Sequence, residues 1–248
     1  MSLSDLVLSI ADNKQMLGLR YAEWATRAPS LEADIAAAAM GLDDLGHSRV
    51  LYGCLEPLGA DPRGPERESD PASLHNLAYF DDPWTQWSEF VAANAILDTA
   101  FTVMIEACVA GSVEVLQHRL RKMLMEERYH FLHGRSWLRS GIDSAPLNRA
   151  WQEAIEWFGP PDGETATLHR QGKLSMGPGE TRTLSACFVD WRRRSTRRPP
   201  RNQPRSEPRC PHCNAKDSEL ISLFGTQAMT LQYRCRKCGT VFEAIKYA

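Results

Sequence analysis

Apolar residues recur at alternating spacings of three and four in four helix-length stretches, and polar residues interrupt each seam near its middle. The first seam reads Leu3, Val7, Ile10, Lys14, Leu17, Tyr21, Trp24, and the second Met40, Asp44, His47, Leu51, Cys54, Leu58. The third reads Trp87, Val91, Asn94, Asp98, Phe101, Ile105, Cys108, and the fourth Val113, Leu116, Leu120, Met123, Glu127, His130, Gly134, Trp137. A seam of this period faces a partner helix, so Lys14, Asp44, His47, Asp98, Glu127 and His130 are predicted to project into the middle of a bundle. Charges placed there are too costly to stand unpaired.

Breakers set the helix ends. The first helix is expected over residues 3 to 27, where Ala28-Pro29-Ser30 stops it and supplies an N-cap for the second, which runs to Leu58. A loop rich in proline, glycine and charge follows, Asp61 to Pro71. The third helix is expected from Pro83 to Gly111-Ser112 and the fourth from there to Gly141. Further helices are predicted at 146–158 and 180–191, with Gly159 to Gly179 irregular. Short turns join the first helix to the second and the third to the fourth, while the second and third need a long connection. That is the connectivity of an all-α, ferritin-like four-helix bundle with one crossover and extra helices.

The interruptions form a pattern of their own. Carboxylate-bridged di-iron bundles take one carboxylate from each of two helices and an acid-x-x-His pair from each of the other two, because residues i and i+3 share a helix face. Asp44-Leu45-Gly46-His47 and Glu127-Arg128-Tyr129-His130 fit the paired motif. Measured from the hairpin turns, Asp98 is level with Glu127, and the position level with Asp44 on the first helix is near Lys14. Glu23 would complete an acidic set, but it sits off the seam and roughly 13 Å along the axis from Lys14 at a rise of ~1.5 Å per residue. Lys14 is therefore the expected occupant. An ammonium beside two dications is strongly repelled. Without metal, one lysine and two protonated histidines balance Asp44, Asp98 and Glu127. The six residues are read as a degenerate di-iron site closed by an ion-pair network, with retained iron the lesser expectation.

Charge divides the chain further. Residues 192–209 carry eight arginines against one glutamate, and residues 210–248 carry five Lys/Arg against three acids. The total of −2 thus leaves −11 on residues 1–191. Three regions are expected: an acidic helical body at 1–191, an Arg/Pro-rich linker at 192–209 and a small tail at 210–248. In the tail, Cys210-Pro211-His212-Cys213 and Cys235-Arg236-Lys237-Cys238 are separated by 21 residues, with Leu220, Ile221, Leu223, Phe224, Leu231 and Tyr233 between them. Two such knuckles bring four thiolates around one ion, so Cys210, Cys213, Cys235 and Cys238 are predicted zinc ligands of a small β zinc ribbon. A redox dithiol and a rubredoxin-like iron are the lesser alternatives, and His212 is read as a loop residue. Cys54, Cys108 and Cys187 are read as buried thiols. With no signal pattern and no uninterrupted apolar run of ~20 residues, a cytoplasmic protein with no membrane partner is expected.

The runs Ala22-Glu23-Trp24-Ala25-Thr26-Arg27-Ala28-Pro29-Ser30-Leu31-Glu32, Gly41-Leu42-Asp43-Asp44-Leu45-Gly46-His47-Ser48-Arg49 and Glu126-Glu127-Arg128-Tyr129-His130-Phe131-Leu132-His133 resemble the phenylacetate-degradation oxygenase family, the ferritin-like subunits of a phenylacetyl-CoA ring-epoxidase complex. Asp12-Asn13-Lys14 resembles the structural, non-catalytic subunit rather than its di-iron partner, which carries glutamate at the Lys14 position. The resemblance covers residues 5–140 and implies pairing with a homologous di-iron catalytic subunit and with other epoxidase components. His47 departs from it, since glutamine is usual there in the structural subunits. The tail, with Glu219-Leu220-Ile221-Ser222-Leu223-Phe224-Gly225-Thr226 and Tyr233-Arg234-Cys235, resembles the ribbon of an accessory protein of the same pathway that is thought to assist assembly or metal maturation.

Three functions are weighed: a structural and assembly subunit of a CoA-thioester ring epoxidase, a di-iron oxygenase in its own right, and a nucleic-acid binder using ribbon and arginines. Nucleic acid ranks last, because the arginine run lacks interleaved aromatics.

Overall fold

The computed structural model describes residues 1–61, 74–160, 162–175, 208–222 and 230–245. The chain separates into two compact units, residues 1–197 and 198–248. The first is helical. Helix α1 (Leu3–Ala22) opens on a capping box, Ser2 Oγ accepting from the Asp5 amide while the Asp5 carboxylate accepts from Ser2 N at 2.7 Å. Helix α2 (Leu31–Tyr52) opens on Ser30, whose hydroxyl accepts from Ala33 N. The two pack as an antiparallel hairpin so close at Gly18 and Gly41 that a Cβ on Gly18 would lie 3.0 Å from the Gly41 carbonyl oxygen.

The second hairpin is less regular. Its first limb is α3 (Trp87–Ala92), a π-helical turn at Ala93–Leu97 and α4 (Asp98–Ala110); its second is α5 (Glu114–Arg119) and α6 (Met123–Arg139). The π turn swells the limb at Asn94 and Ala95, and Gly134 on α6 makes room. A Cβ there would meet Asn94 Oδ1 at 2.7 Å and Ala95 Cα at 3.0 Å. Trp87–Ala110 is long and apolar enough to cross a bilayer, but 94% of its apolar window is buried, as befits a core helix. Helices α7 (Ser144–Phe158) and α8 (Glu164–Arg170) close the unit, with Trp157 edge-on to Phe101.

Several boundaries differ from those read in the sequence. α1 ends at Ala22 rather than 27, because residues 24–27 tighten into i→i−3 bonds such as Trp24 N to Tyr21 O. α2 stops before Gly53 rather than at Leu58, and the third helix starts at Trp87 rather than Pro83, since the Glu89 carboxylate caps the free amides of Thr85 and Gln86. The fourth seam is cut where α5 ends at Arg119, with Leu120 as its C-cap. Gly159–Gly179 is not wholly irregular, for α8 lies within it. The helix expected at 180–191, Cys187, and residues 192–207 of the linker lie outside the described residues.

The crossover is tied to α1 by buried polar groups. Asp12 accepts from Tyr52 Oη at 2.7 Å and His75 N at 2.8 Å, Asn13 Oδ1 accepts from Leu77 N, and Arg20 donates to the carbonyls of Phe80 and Asp81. These bonds satisfy backbone groups that the irregular connection leaves open.

The second unit is a three-stranded antiparallel sheet in the order β1 (Ser218–Ser222), β2 (Thr230–Cys235), β3 (Val241–Ile245). Leu223 and Phe224, expected in its strands, fall outside the described residues. Among its described residues the buried centre is Cys210, Cys235 and Phe242, with the Tyr233 ring stacked on Phe242. A unit this short rarely offsets the entropy of ordering its chain by apolar burial alone.

Candidate functional site

All six residues read from the interrupted seams meet inside the bundle, and each is at most 3% exposed. Lys14 on α1 donates from Nζ to Asp44 Oδ1 at 2.9 Å and to Asp98 Oδ1 and Glu127 Oε1 at shorter range. One ammonium thus holds a carboxylate from α2, one from α4 and one from α6. Glu23 is elsewhere, accepting from Arg20 Nη1 at 2.5 Å.

The histidines are enclosed by acids on both ring nitrogens. His130 Nδ1 lies 3.0 Å from Asp98 Oδ2, and its Nε2 lies 3.4 Å from Asp43. His47 Nδ1 approaches Glu127 Oε1 at 2.9 Å, off the hydrogen-bond line, and Asp44 Oδ1 at 3.4 Å; its Nε2 contacts Glu126 at 2.9 Å. The outer acids cross over: Asp43 of α2 caps the histidine of α6, and Glu126 of α6 caps the histidine of α2. Tyr21 Oη and Asn94 Nδ2 donate to Asp98 Oδ2, and Thr102 Oγ1 donates to Glu127 Oε2.

Charge closes on this geometry. Burial alone would strip the proton from Lys14, but Asp44, Asp98 and Glu127 outweigh it and hold its pKa well above the ordinary range. The same contest, with burial opposed by Asp44, Glu126 and Glu127, pushes His47 up to about 10, and His130 also rises well above its usual value. Burial and the neighbouring Glu127 charge lift Asp98 to about 6, while burial of Glu127 is outweighed by Lys14 and His130, which hold it well below its usual range. Three cations, Lys14, His47 and His130, therefore face the inner carboxylates Asp44, Asp98 and Glu127, with Asp43 and Glu126 on the outer ring nitrogens.

Linkage gives this arrangement a definite alkaline limb. A histidine raised in the folded state contributes stability that is complete below its unfolded pKa of about 6.5 and is lost as pH rises toward the folded value. For His47 that window ends at about 10. The melting temperature is expected to fall steadily between those limits, and His47→Gln to flatten the fall. A flat profile for the unmodified chain, followed by circular dichroism, would contradict the charged network. On the acid side Glu127 and Asp98 act in opposite directions.

Asp44, Asp98, Glu127 and His130 each bring a ligand atom within 4.8 Å of the others, spacing that suits a metal ion. The full constellation does not fit a pair of irons. Lys14 Nζ already bonds one oxygen of each of the three inner carboxylates, although Asp44 Oδ2 has no hydrogen-bond partner, and these three are one fewer than the four that a di-iron bundle of this type uses. Asp43 and Glu126 were not among the residues predicted from the seams. Their signal was an acid doublet, Asp43-Asp44 and Glu126-Glu127, heading each motif.

The cysteine site does fit its metal. Cys210 Sγ lies 3.7 Å from Cys238 Sγ and Cys213 Sγ 3.5 Å from Cys235 Sγ, near the ~3.8 Å edge of a tetrahedron with ~2.3 Å Zn–S bonds. Each knuckle turns through a left-handed residue, Asn214 at φ 55° and Gly239 at φ 76°, whose amide bonds to the carbonyl of the first cysteine at 2.8 Å. Cys210, Cys213, Cys235 and Cys238 would hold zinc as a closed structural centre. His212 is exposed and stays outside the cluster.

Comparison with known proteins agrees with both units. Residues 195–246 match the PaaD zinc beta ribbon domain. The chain is 27% identical over 199 residues to the 1,2-phenylacetyl-CoA epoxidase subunit designated C of Escherichia coli (strain K12), covering 75% of this chain and 77% of that protein. It is 26% identical over 176 residues to the subunit designated A of the same epoxidase, covering 67% of this chain and 57% of the relative. Residues 1–180 match the model of the phenylacetic acid catabolic proteins, and the chain belongs to that family.

Proposed function

We propose that this chain is a structural and assembly subunit of a multicomponent phenylacetyl-CoA ring 1,2-epoxidase in phenylacetate catabolism, pairing with a homologous di-iron catalytic subunit. The observation that supports this most is Lys14, whose ammonium takes the place of a metal charge among Asp44, Asp98 and Glu127. Oxygen activation at a di-iron centre needs bound metals with open coordination positions. Here the carboxylates of three helices are committed to an internal cation supplied by a fourth. The fused ribbon, in this reading, contributes to assembly.

Metal analysis of native protein purified without chelators tests the reading. About one zinc per chain, negligible iron and no acyl-CoA-dependent oxygen uptake are expected. About two irons per chain with oxygen uptake on an acyl-CoA would make the chain an oxygenase instead.

A further inference from the structure

The four cysteines of the ribbon are not equally reachable. Cys210 is 1% exposed and Cys235 0%, whereas Cys213 is half-buried and Cys238 is exposed. Each knuckle thus contributes one covered sulfur, its first cysteine, and one that solvent can reach, its second. The short sulfur distances cross between the knuckles and join unlike partners. Exposed Cys238 faces covered Cys210 at 3.7 Å, and half-buried Cys213 faces covered Cys235 at 3.5 Å. In each pair a solute can meet one sulfur, and the other is met by its neighbour. Cys238 is the more open of the two accessible sulfurs. Arg236 and Lys237, both exposed, sit beside it in the same knuckle. An open, electropositive setting is the one in which thiolates react with oxidants.

We propose that the ribbon is a peroxide-reactive site in which Cys238 is the attacking sulfur, Cys210 the resolving sulfur, and their disulfide expels the zinc. The Cys238 thiolate attacks one oxygen of a small hydroperoxide and the O–O bond breaks. For hydrogen peroxide, hydroxide leaves and takes up a proton as water, and the sulfur becomes a sulfenic acid. The Cys210 thiolate then attacks that sulfur, forming the S–S bond and releasing a second hydroxide, which is protonated in turn. Together the two thiolates give up two electrons, one peroxide is reduced, two protons are consumed and two waters form. Only Cys213 and Cys235 then remain to the ion, half of the set that a closed structural zinc centre uses. The metal cross-link between the knuckles becomes a covalent one between the same two knuckles. That crossing separates the site from a redox dithiol, which closes its disulfide within one Cys-x-x-Cys.

The test treats the full, zinc-loaded chain with millimolar hydrogen peroxide. Zinc release is followed with a chromogenic chelator, the chain without peroxide setting the baseline, and the sulfur products are mapped by peptide mass spectrometry. About one zinc per chain should be released, with Cys210–Cys238 as the first disulfide, and reduction by dithiothreitol with zinc supplied should restore binding. Cys238→His keeps four ligands in a Cys₃His set and should release zinc about tenfold more slowly, whereas Cys213→His should stay close to the native rate. If Cys238→His fails to load zinc, the first disulfide of the native chain decides alone. A first disulfide within one knuckle, Cys235–Cys238 or Cys210–Cys213, would overturn the proposal. So would an unchanged release rate in zinc-loaded Cys238→His, or zinc retained by the native chain in peroxide. Iron content and oxygen uptake do not enter these readings, so the functional proposal stands or falls separately.

Discussion

Lys14→Met is expected to destabilise the helical unit by about 3–5 kcal/mol, the cost of removing one partner from a buried charge network. Methionine nearly conserves volume, so the loss isolates the ammonium. Three carboxylates, all at most 1% exposed, would then be left with the two histidines and the neutral donors Tyr21, Asn94 and Thr102. They must take up protons or remain uncompensated in a low-dielectric interior. Urea unfolding at pH 7 followed by helical circular dichroism measures the difference. A loss below about 1 kcal/mol would show that the ammonium contributes little net stability, the usual finding for exposed pairs. Lys14→Glu sharpens the point. It supplies a fourth carboxylate, and the altered chain is expected to be unstable alone and stabilised by ferrous iron, whereas the unmodified chain should not respond. An iron-induced rise in melting temperature for both chains would show that Lys14 does not exclude metal.

Zinc removal is expected to unfold the ribbon and leave the helices intact. Among the described residues the buried centre of that unit is two cysteines and Phe242, and a unit this short gains too little from apolar burial to offset the ordering of its chain. Metal binding is then the larger part of its folding energy, on the order of 10 kcal/mol for comparable small structural sites. Chelation, or Cys235→Ser, should collapse the amide shift dispersion of residues 230–245 in NMR spectra while far-ultraviolet helicity hardly changes. Survival of β2 and β3 amide protection in a chelator would assign the stability to packing instead.

The inner seams and the level of the polar residues along them were legible in the sequence because helical period and hairpin length are local quantities. They brought Lys14, Asp44, His47, Asp98, Glu127 and His130 to one place and kept Glu23 out of it. The two cysteine knuckles were legible for the same reason, since their turns involve only neighbouring residues. What escaped depends on contacts between distant segments. The crossed capping of His47 by Glu126 and His130 by Asp43 needs the relative rotation of α2 and α6, which a heptad does not state. The π turn at Asn94 is set by Gly134 on another helix. Residues 164–170 lie in a stretch rich in glycine and proline and still form a helix, because Gly163 starts it and Leu168 is buried.

The buried charges also set an order of events for a chain emerging from a ribosome. Along its inner seam the first hairpin sets Lys14 against Asp44 alone, and its His47 lacks the Glu126 and Glu127 that help to hold its proton. The second holds two carboxylates, Asp98 and Glu127, with His130 alone. Each half lacks charges that the other supplies. Neither can bury its polar seam at low cost until the other has been synthesised. The N-terminal hairpin should therefore stay open to solvent and to chaperones through roughly the first 130 residues of translation, and the two halves should then become structured in one cooperative step.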